Sequence, residues 1–296
     1  MSKKINFRGT GVAIVTPFKK DLSVDFKSLK NLVEDLIQGG VEFLVILGTT
    51  GESVVLSKEE KEAVIDCVVK TNNKRLPLVL GIGGNNTTEV VEAVKNCPKE
   101  MDAILSVSPF YNKPSQEGIY AHFEAISKAT DKSIIIYNVP GRTASNINAD
   151  TTLRLANDFK NIIAVKEAAG DMNQAMKIIE NKPKDFLILS GDDALTCPMT
   201  LMGGDGVISV QAMAAPKLFS DMVRFALKGK KEEALSRHYI QSTLMDLIFE
   251  EGNPVGIKSA LKHRKVIKTD LVRLPLIKAS RGLKSDILKE LKKIEA

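Results

Sequence analysis

The chain has 296 residues, 44% of them hydrophobic and 26% charged, which is enough apolar material for a large buried core and excludes a disordered or fibrous protein. Its formal charge is +6, and the excess lies in the tail, where twelve Lys and Arg face four Asp and Glu from Lys258 onward. Those basic residues interleave with Leu and Ile at helical spacing and lack an aromatic stacking set, so a solvated helix face is expected there and no nucleic-acid surface. Residues 1–6 are polar with no apolar stretch behind them, and no uninterrupted apolar run could span a bilayer; neither a secretory signal nor a membrane span is expected. Cys67, Cys97 and Cys197, odd in number and far apart, fit the reduced thiols of a cytoplasmic protein.

Eight short β-rich apolar runs recur along the chain. The first is residues 12–15. Asp25 can then cap a periodic helix over Phe26–Gln38 that stops at Gly39-Gly40, and residues 42–47 form the second run. Ser57 and Glu60 make a capping-box pattern ahead of a helix at 61–70, before the third run at 77–80. Thr87 or Thr88 starts a helix at 89–96, and Ala103–Val107 and residues 133–137 are the fourth and fifth runs. Asp150 precedes a helix at 151–157, residues 162–166 form the sixth run, and Asp171 precedes a helix at 172–180. Residues 186–189 and 206–210 complete the set.

Alternation of strand and helix implies a parallel sheet with crossover connections, and eight such units imply an α/β fold closed as a (β/α)8 TIM barrel. An open doubly wound sheet needs fewer strands and usually a Gly-rich loop after the first; here Thr16-Pro17-Phe18 follows Val15. The barrel is expected over residues 1–229, and an appended C-terminal helical domain over 230–296, interrupted at Gly252-Asn253-Pro254.

Reactive groups of such a barrel sit where strands end. Those positions hold Gly48-Thr49-Thr50-Gly51-Glu52, Ser108-Pro109-Phe110-Tyr111-Asn112, Tyr137-Asn138-Val139-Pro140-Gly141-Arg142-Thr143, Lys166, and Ser190-Gly191-Asp192-Asp193. A lysine amine among apolar walls can attack a carbonyl when neutral, and the iminium so formed activates the adjacent carbon for carbon–carbon bond formation without a metal. Tyr137 ends the strand before Lys166 and can move the protons this requires. The Gly48 to Gly51 turn can gather amides and hydroxyls around a carboxylate. Gly203-Gly204-Asp205-Gly206 precedes the eighth strand and falls on the opposite face. None of His122, His238 and His263 ends a strand, which argues against a zinc-dependent aldolase.

These motifs, with Gly11-Val12-Ala13-Ile14-Val15-Thr16-Pro17, Tyr111-Asn112-Lys113-Pro114 and Val165-Lys166-Glu167-Ala168, occur in one order through nearly the whole chain. In them the chain resembles the dihydrodipicolinate synthase family, within the class I aldolase superfamily that includes N-acetylneuraminate lyase. The resemblance implies a Schiff base between Lys166 and pyruvate, and a proton relay of Tyr137, Thr50 and Tyr111, the last reaching into a neighbouring subunit's site. It implies that Thr49 and Thr50 hold the pyruvate carboxylate, that Gly191 and Ile208 line the site, and that Arg142 receives the carboxylate of aspartate semialdehyde. The implied activity is 4-hydroxy-tetrahydrodipicolinate synthesis, on the route to diaminopimelate and lysine, in a cytoplasmic homotetramer built as a dimer of dimers, with no cofactor or metal.

Arg142 separates this reading from a sugar-acid lyase, since a guanidinium suits a small dicarboxylate adduct whereas a long sugar acid is held through hydroxyls. A catalytically silent barrel that binds a ligand or partner is the non-enzymatic alternative. The resemblance also places a lysine-inhibition cleft at Ser53, Val54, Lys58, Lys61, Asn85, Glu89 and Phe110. Sensitive members usually carry tyrosine at Phe110 and histidine at Lys61; the lost hydroxyl and added cation predict little or no inhibition here. At Asn253-Pro254-Val255-Gly256 the family more often has a second proline, and no functional consequence follows from the sequence.

Overall fold

The structure, a computed structural model, describes residues 6–295; the polar opening stretch weighed for a secretory signal lies, apart from Asn6, outside them. Strands β1 Gly9–Ala13, β2 Phe43–Ile46, β3 Leu78–Gly81, β4 Ala103–Val107, β5 Ser133–Asn138, β6 Ile162–Glu167, β7 Leu187–Ser190 and β8 Gly206–Ser209 pair in sequence order. β8 returns in parallel to β1, closing the expected barrel.

The expected strands match within one or two residues except at the first, which begins three residues earlier, at Gly9. The reason is the closing seam. A Cβ on Gly11 would lie 2.1 Å from the Phe43 ring inside the barrel, and one on Gly206 would lie 2.0 Å from the Gly9 carbonyl oxygen. Glycine lets the backbones meet there, yet in a sequence it reads as an interruption.

Helix starts follow local chemistry. Asp25 accepts from the Ser28 amide ahead of Phe26–Gln38, and Ser57 and Glu60 complete a reciprocal capping box ahead of Lys58–Asn72. Two expected starts are corrected: Asn86 caps Thr87–Lys95, and Asn148 caps Ala149–Asp158. In each the asparagine oxygen accepts from an amide two or three residues on, so the acceptor stands just before the residues first favoured.

Inside the barrel, Phe43, Val45, Val79, Leu105, Ile135, Ala164, Leu189 and Ile208 interlock. Outside it, one apolar cluster runs from Leu29, Phe219 and Val223 into Leu244 and Ile248 of the helix Lys231–Glu250, then into Ile257, Leu283 and Ile287. Residues 264–280, expected to be helical, contain no helix. Their polar groups bond to the barrel instead: the Lys268 amide to Ser28 Oγ at 3.2 Å, the Thr269 hydroxyl to the Phe18 carbonyl at 2.5 Å and the Arg273 guanidinium to the Leu22 carbonyl at 2.8 Å.

The solvated face expected for the basic tail holds for most of its cations, among them Lys265, Lys268, Lys278, Lys289 and Lys292, which are exposed, and is corrected for four. Lys258 is fully buried, Arg264 pairs with Asp35 at 2.7 Å, Lys284 pairs with Asp270 at 2.7 Å, and Arg273 reaches Glu60 at 2.7 Å. Two of these cations, Arg264 and Arg273, fasten the tail to carboxylates on the barrel's own helices, and Lys258 fastens it to Glu52.

Candidate active site

Side chains alternate along a strand, so Ile135 and Tyr137 of β5 and Ala164 and Lys166 of β6 face the barrel interior while Asn138 and Glu167 face outward. Tyr137 and Lys166 are register partners. Both are buried, and Lys166 Nζ stands 4.3 Å from the centroid of the Tyr137 ring. The loop after β7 closes the other side: a Cβ on Gly191 would lie 3.0 Å from Lys166 Cε and 2.6 Å from Ala168 Cβ. Leu189, paired with Lys166 across β6 and β7, and Ile208 of β8 add apolar wall. Among the described residues no carboxylate pairs with Lys166, and its amine makes no hydrogen bond. A buried amine with no protein partner beside a phenol is an arrangement suited to carbonyl attack.

The outward-facing groups pin the strand ends. Asn138 Nδ2 donates to Glu167 Oε1 at 3.0 Å, Gln174 Nε2 donates to Glu167 Oε2 at 2.9 Å, and the Ala169 amide donates at 2.8 Å. Burial raises the Glu167 carboxyl above its ordinary range even against these bonds. The acid next to Lys166 in sequence is therefore committed to the scaffold behind it.

After β2 the chain turns tightly through Thr49–Gly51. Leu47 and Glu52, on either side, have φ of 56° and 53°, a backbone region costly for non-glycine residues. A Cβ on Gly81 would sit 2.5 Å from the Leu47 carbonyl oxygen, so the glycine of β3 allows the strained turn to rest on it. Thr16 Oγ1 donates to the Gly51 carbonyl at 2.7 Å from the end of β1. Thr49 is exposed and Thr50 buried, and among the described residues no backbone carbonyl outside the turn accepts from either amide. Those free donors suit the anion role expected of the turn.

Not every expected residue joins this group. The Thr50 hydroxyl accepts from Asn253 at 2.9 Å and makes no hydrogen bond to Tyr137. Tyr111 is 87% exposed with φ of 73°, and its phenol bonds to nothing among the described residues. Arg142, in the short helix Pro140–Thr143, is exposed, and its guanidinium has no partner among the described residues. Of the residues placed at the inhibition cleft, Asn85 and Phe110 meet: Asn85 Nδ2 donates to the Phe110 carbonyl at 3.1 Å. Among the described residues no cluster of three His, Cys, Asp or Glu could hold a metal ion. The Gly203 to Gly206 turn lies at the other end, where Asp205 accepts from the Ile188 amide at 3.1 Å and pairs with Lys182 at 3.0 Å.

The model of the dihydrodipicolinate synthetase family matches residues 6–294. The chain belongs to that family. It is 57% identical over 278 residues to the 4-hydroxy-tetrahydrodipicolinate synthase of Flavobacterium psychrophilum, covering 94% of each chain. The crystal structure of a chloride-inhibited dihydrodipicolinate synthase from Acinetobacter baumannii, complexed with pyruvate, is 39% identical with a TM-score of 0.94, covering 98% of this chain and 99% of that one. A monomeric dihydrodipicolinate synthase variant is 37% identical with a TM-score of 0.94, covering 97% and 96%.

Two residues that touch this dihydrodipicolinate synthetase family site escape the sequence reading. Asn253 stands before a proline and reads as a helix breaker. Lys258 did leave a signal, since it falls within the run Val255 to Leu261, all of it buried, where a lone charge calls for a partner. That partner is Glu52, at the end of the turn that carries Thr49 and Thr50.

Proposed function

We propose that this chain catalyses the 4-hydroxy-tetrahydrodipicolinate synthase reaction, joining pyruvate to L-aspartate 4-semialdehyde through an imine on Lys166. The observation that carries the reading is the buried Lys166 amine, without a hydrogen bond or carboxylate partner among the described residues and 4.3 Å from the Tyr137 ring centroid, with Gly191 leaving it room. Attack of the amine on C2 of pyruvate gives a carbinolamine, and loss of water with a proton supplied by the Tyr137 phenol gives the iminium. The iminium draws electrons from C3, a methyl proton leaves, and the enamine attacks the aldehyde carbon. The amine of the semialdehyde then adds to C2 and expels Lys166, closing the ring. All of this proceeds with no resident cofactor.

Thr49 and Thr50 hold the pyruvate carboxylate through the amides and hydroxyls of their turn, while Gly191 and Ile208 shape the wall beside it. The exposed Arg142 guanidinium, unpaired among the described residues, receives the carboxylate of the semialdehyde, a planar pairing that lysine would not reproduce. Tyr111 completes the relay with Thr50 and Tyr137 from a second copy of the chain; its exposed phenol and positive φ support a residue held outward for that purpose. The working assembly is a homotetramer, a dimer of dimers, in the cytoplasm.

The test is a comparison of two substrates. Pyruvate consumption dependent on aspartate semialdehyde is expected, with no cleavage of N-acetylneuraminate or of 2-keto-3-deoxy sugar acids, and Arg142→Ala should depress the condensation while leaving pyruvate imine formation intact. Cleavage of a sugar acid at the greater rate would overturn the assignment.

A further inference from the structure

The C-terminal segment reaches the site through one polar contact. Asn253 leads into the helix Val255–His263, is 9% exposed, and donates from Nδ2 to Thr50 Oγ1 at 2.9 Å. Its Oδ1 is buried without a partner among the described residues, a condition uncommon enough to need a reason. The helix behind it is tightly held: Val255 through Leu261 are buried, and a Cβ on Gly256 would lie 2.4 Å from the Ile248 carbonyl oxygen. From the same helix Lys258 bonds to the Glu52 carboxylate, which also accepts from the Arg273 amide at 2.9 Å. Thr50 and Glu52 flank Gly51, so one rigid helix grips the anion turn at two points.

We propose that Asn253 is a positioning residue that sets the direction of the Thr50 hydroxyl proton. A hydroxyl has one proton and two lone pairs. With a lone pair occupied by Asn253 Nδ2, the O–H bond must point away from Asn253, and no acceptor among the described residues takes it. The proton is left for a substrate oxygen or a neighbouring phenol. Turning the amide over would place Oδ1 against the same hydroxyl, capture the proton and leave Thr50 an acceptor only. The inference rests on the reading of Thr50 as a member of the proton relay.

Time courses of pyruvate imine formation, quenched with borohydride, are compared in the full-length protein for Asn253→Ala, Asn253→Asp, Thr50→Val, Thr50→Ser and the Asn253→Ala/Thr50→Val pair, alongside KM for pyruvate and thermal unfolding. Asn253→Ala should slow imine formation about 10-fold with KM for pyruvate within about twofold, a fraction of the effect of a whole acid–base group. Asn253→Asp, isosteric but able only to accept when ionised, should slow it at least as much. In the Thr50→Val background the Asn253→Ala change should have no further effect, whereas Thr50→Ser should retain the dependence on Asn253. Wild-type imine formation in Asn253→Ala, or an equal loss with and without the Thr50 hydroxyl, would overturn the inference alone. A wild-type rate in Thr50→Val would overturn the relay reading itself.

Discussion

Replacing Gly191 with alanine tests the geometry around Lys166. The new Cβ would lie 2.6 Å from Ala168 Cβ and 3.0 and 3.2 Å from Cε and Cγ of Lys166, whereas carbon atoms rest at about 3.5–4.0 Å. The backbones on both sides are pinned, since the Gly191 amide donates to the Glu167 carbonyl at 2.7 Å and the Ala168 amide to the Asn138 carbonyl at 2.9 Å. The Lys166 side chain must swing by about 1 Å to restore its own contacts, and the approach to Ala168 Cβ can be relieved only by displacing one of the two pinned backbones, which moves the end of β6 against the loop after β7. A misplacement of that size costs about 10²-fold in rate, and the overpacking costs about 1–3 kcal/mol of stability. Gly141→Ala is the control on the same rim, because nothing lies within 4 Å of its would-be Cβ; its stability should stay within about 0.5 kcal/mol of the parent. Stopped time courses of adduct formation and urea unfolding of both variants provide the comparison. A folded Gly191→Ala protein that forms the pyruvate adduct at the parental rate would refute the reasoning.

His122 is buried, and burial pushes its imidazole down to about 4. Between that value and the ordinary 6.5 the unfolded chain binds more protons than the folded one, so the stability this group contributes is complete above pH 6.5 and is lost as pH falls toward 4. The loss should reach about 2 kcal/mol by pH 5, and His122→Gln should flatten denaturation midpoints across that window; an unchanged pH dependence would contradict it. Burial also pushes the Lys258 ammonium down to about 8 despite the Glu52 carboxylate against it. Lys258→Met should cost about 3–5 kcal/mol in chemical denaturation by stranding Glu52, with most of it recovered in Lys258→Met/Glu52→Gln; equal losses in both proteins would count against the pairing. Lysine at millimolar concentration should leave the condensation rate within about twofold, because Phe110 lacks a phenol and Lys61 adds a cation. Strong inhibition at that concentration would show that other groups bind it.

The barrel was legible because its strands carry apolar runs between capped helices, and β4 and the helix after Asp25 match the expected bounds residue for residue. β1 was misplaced because its pairing depends on Gly9 and Gly11, whose value lies in what they omit, and absence of a side chain carries no periodic signal. Lys166 and Tyr137 were legible as a pair because adjacent parallel strands in register bring their ends together. Contacts between remote segments were not. Nothing near Asn253 marks it as a partner of Thr50, and the basic tail gave no sign that Arg264 and Arg273 would turn back to Asp35 and Glu60. Such pairings are set by the way the last helices pack, which local propensity and periodicity do not encode.

The central claim is that Lys166 forms the imine. Incubation with pyruvate and borohydride followed by peptide mass analysis should place a single reduced pyruvate adduct on Lys166, absent from Lys166→Ala. No adduct, or an adduct on another lysine that persists in Lys166→Ala, would contradict the account.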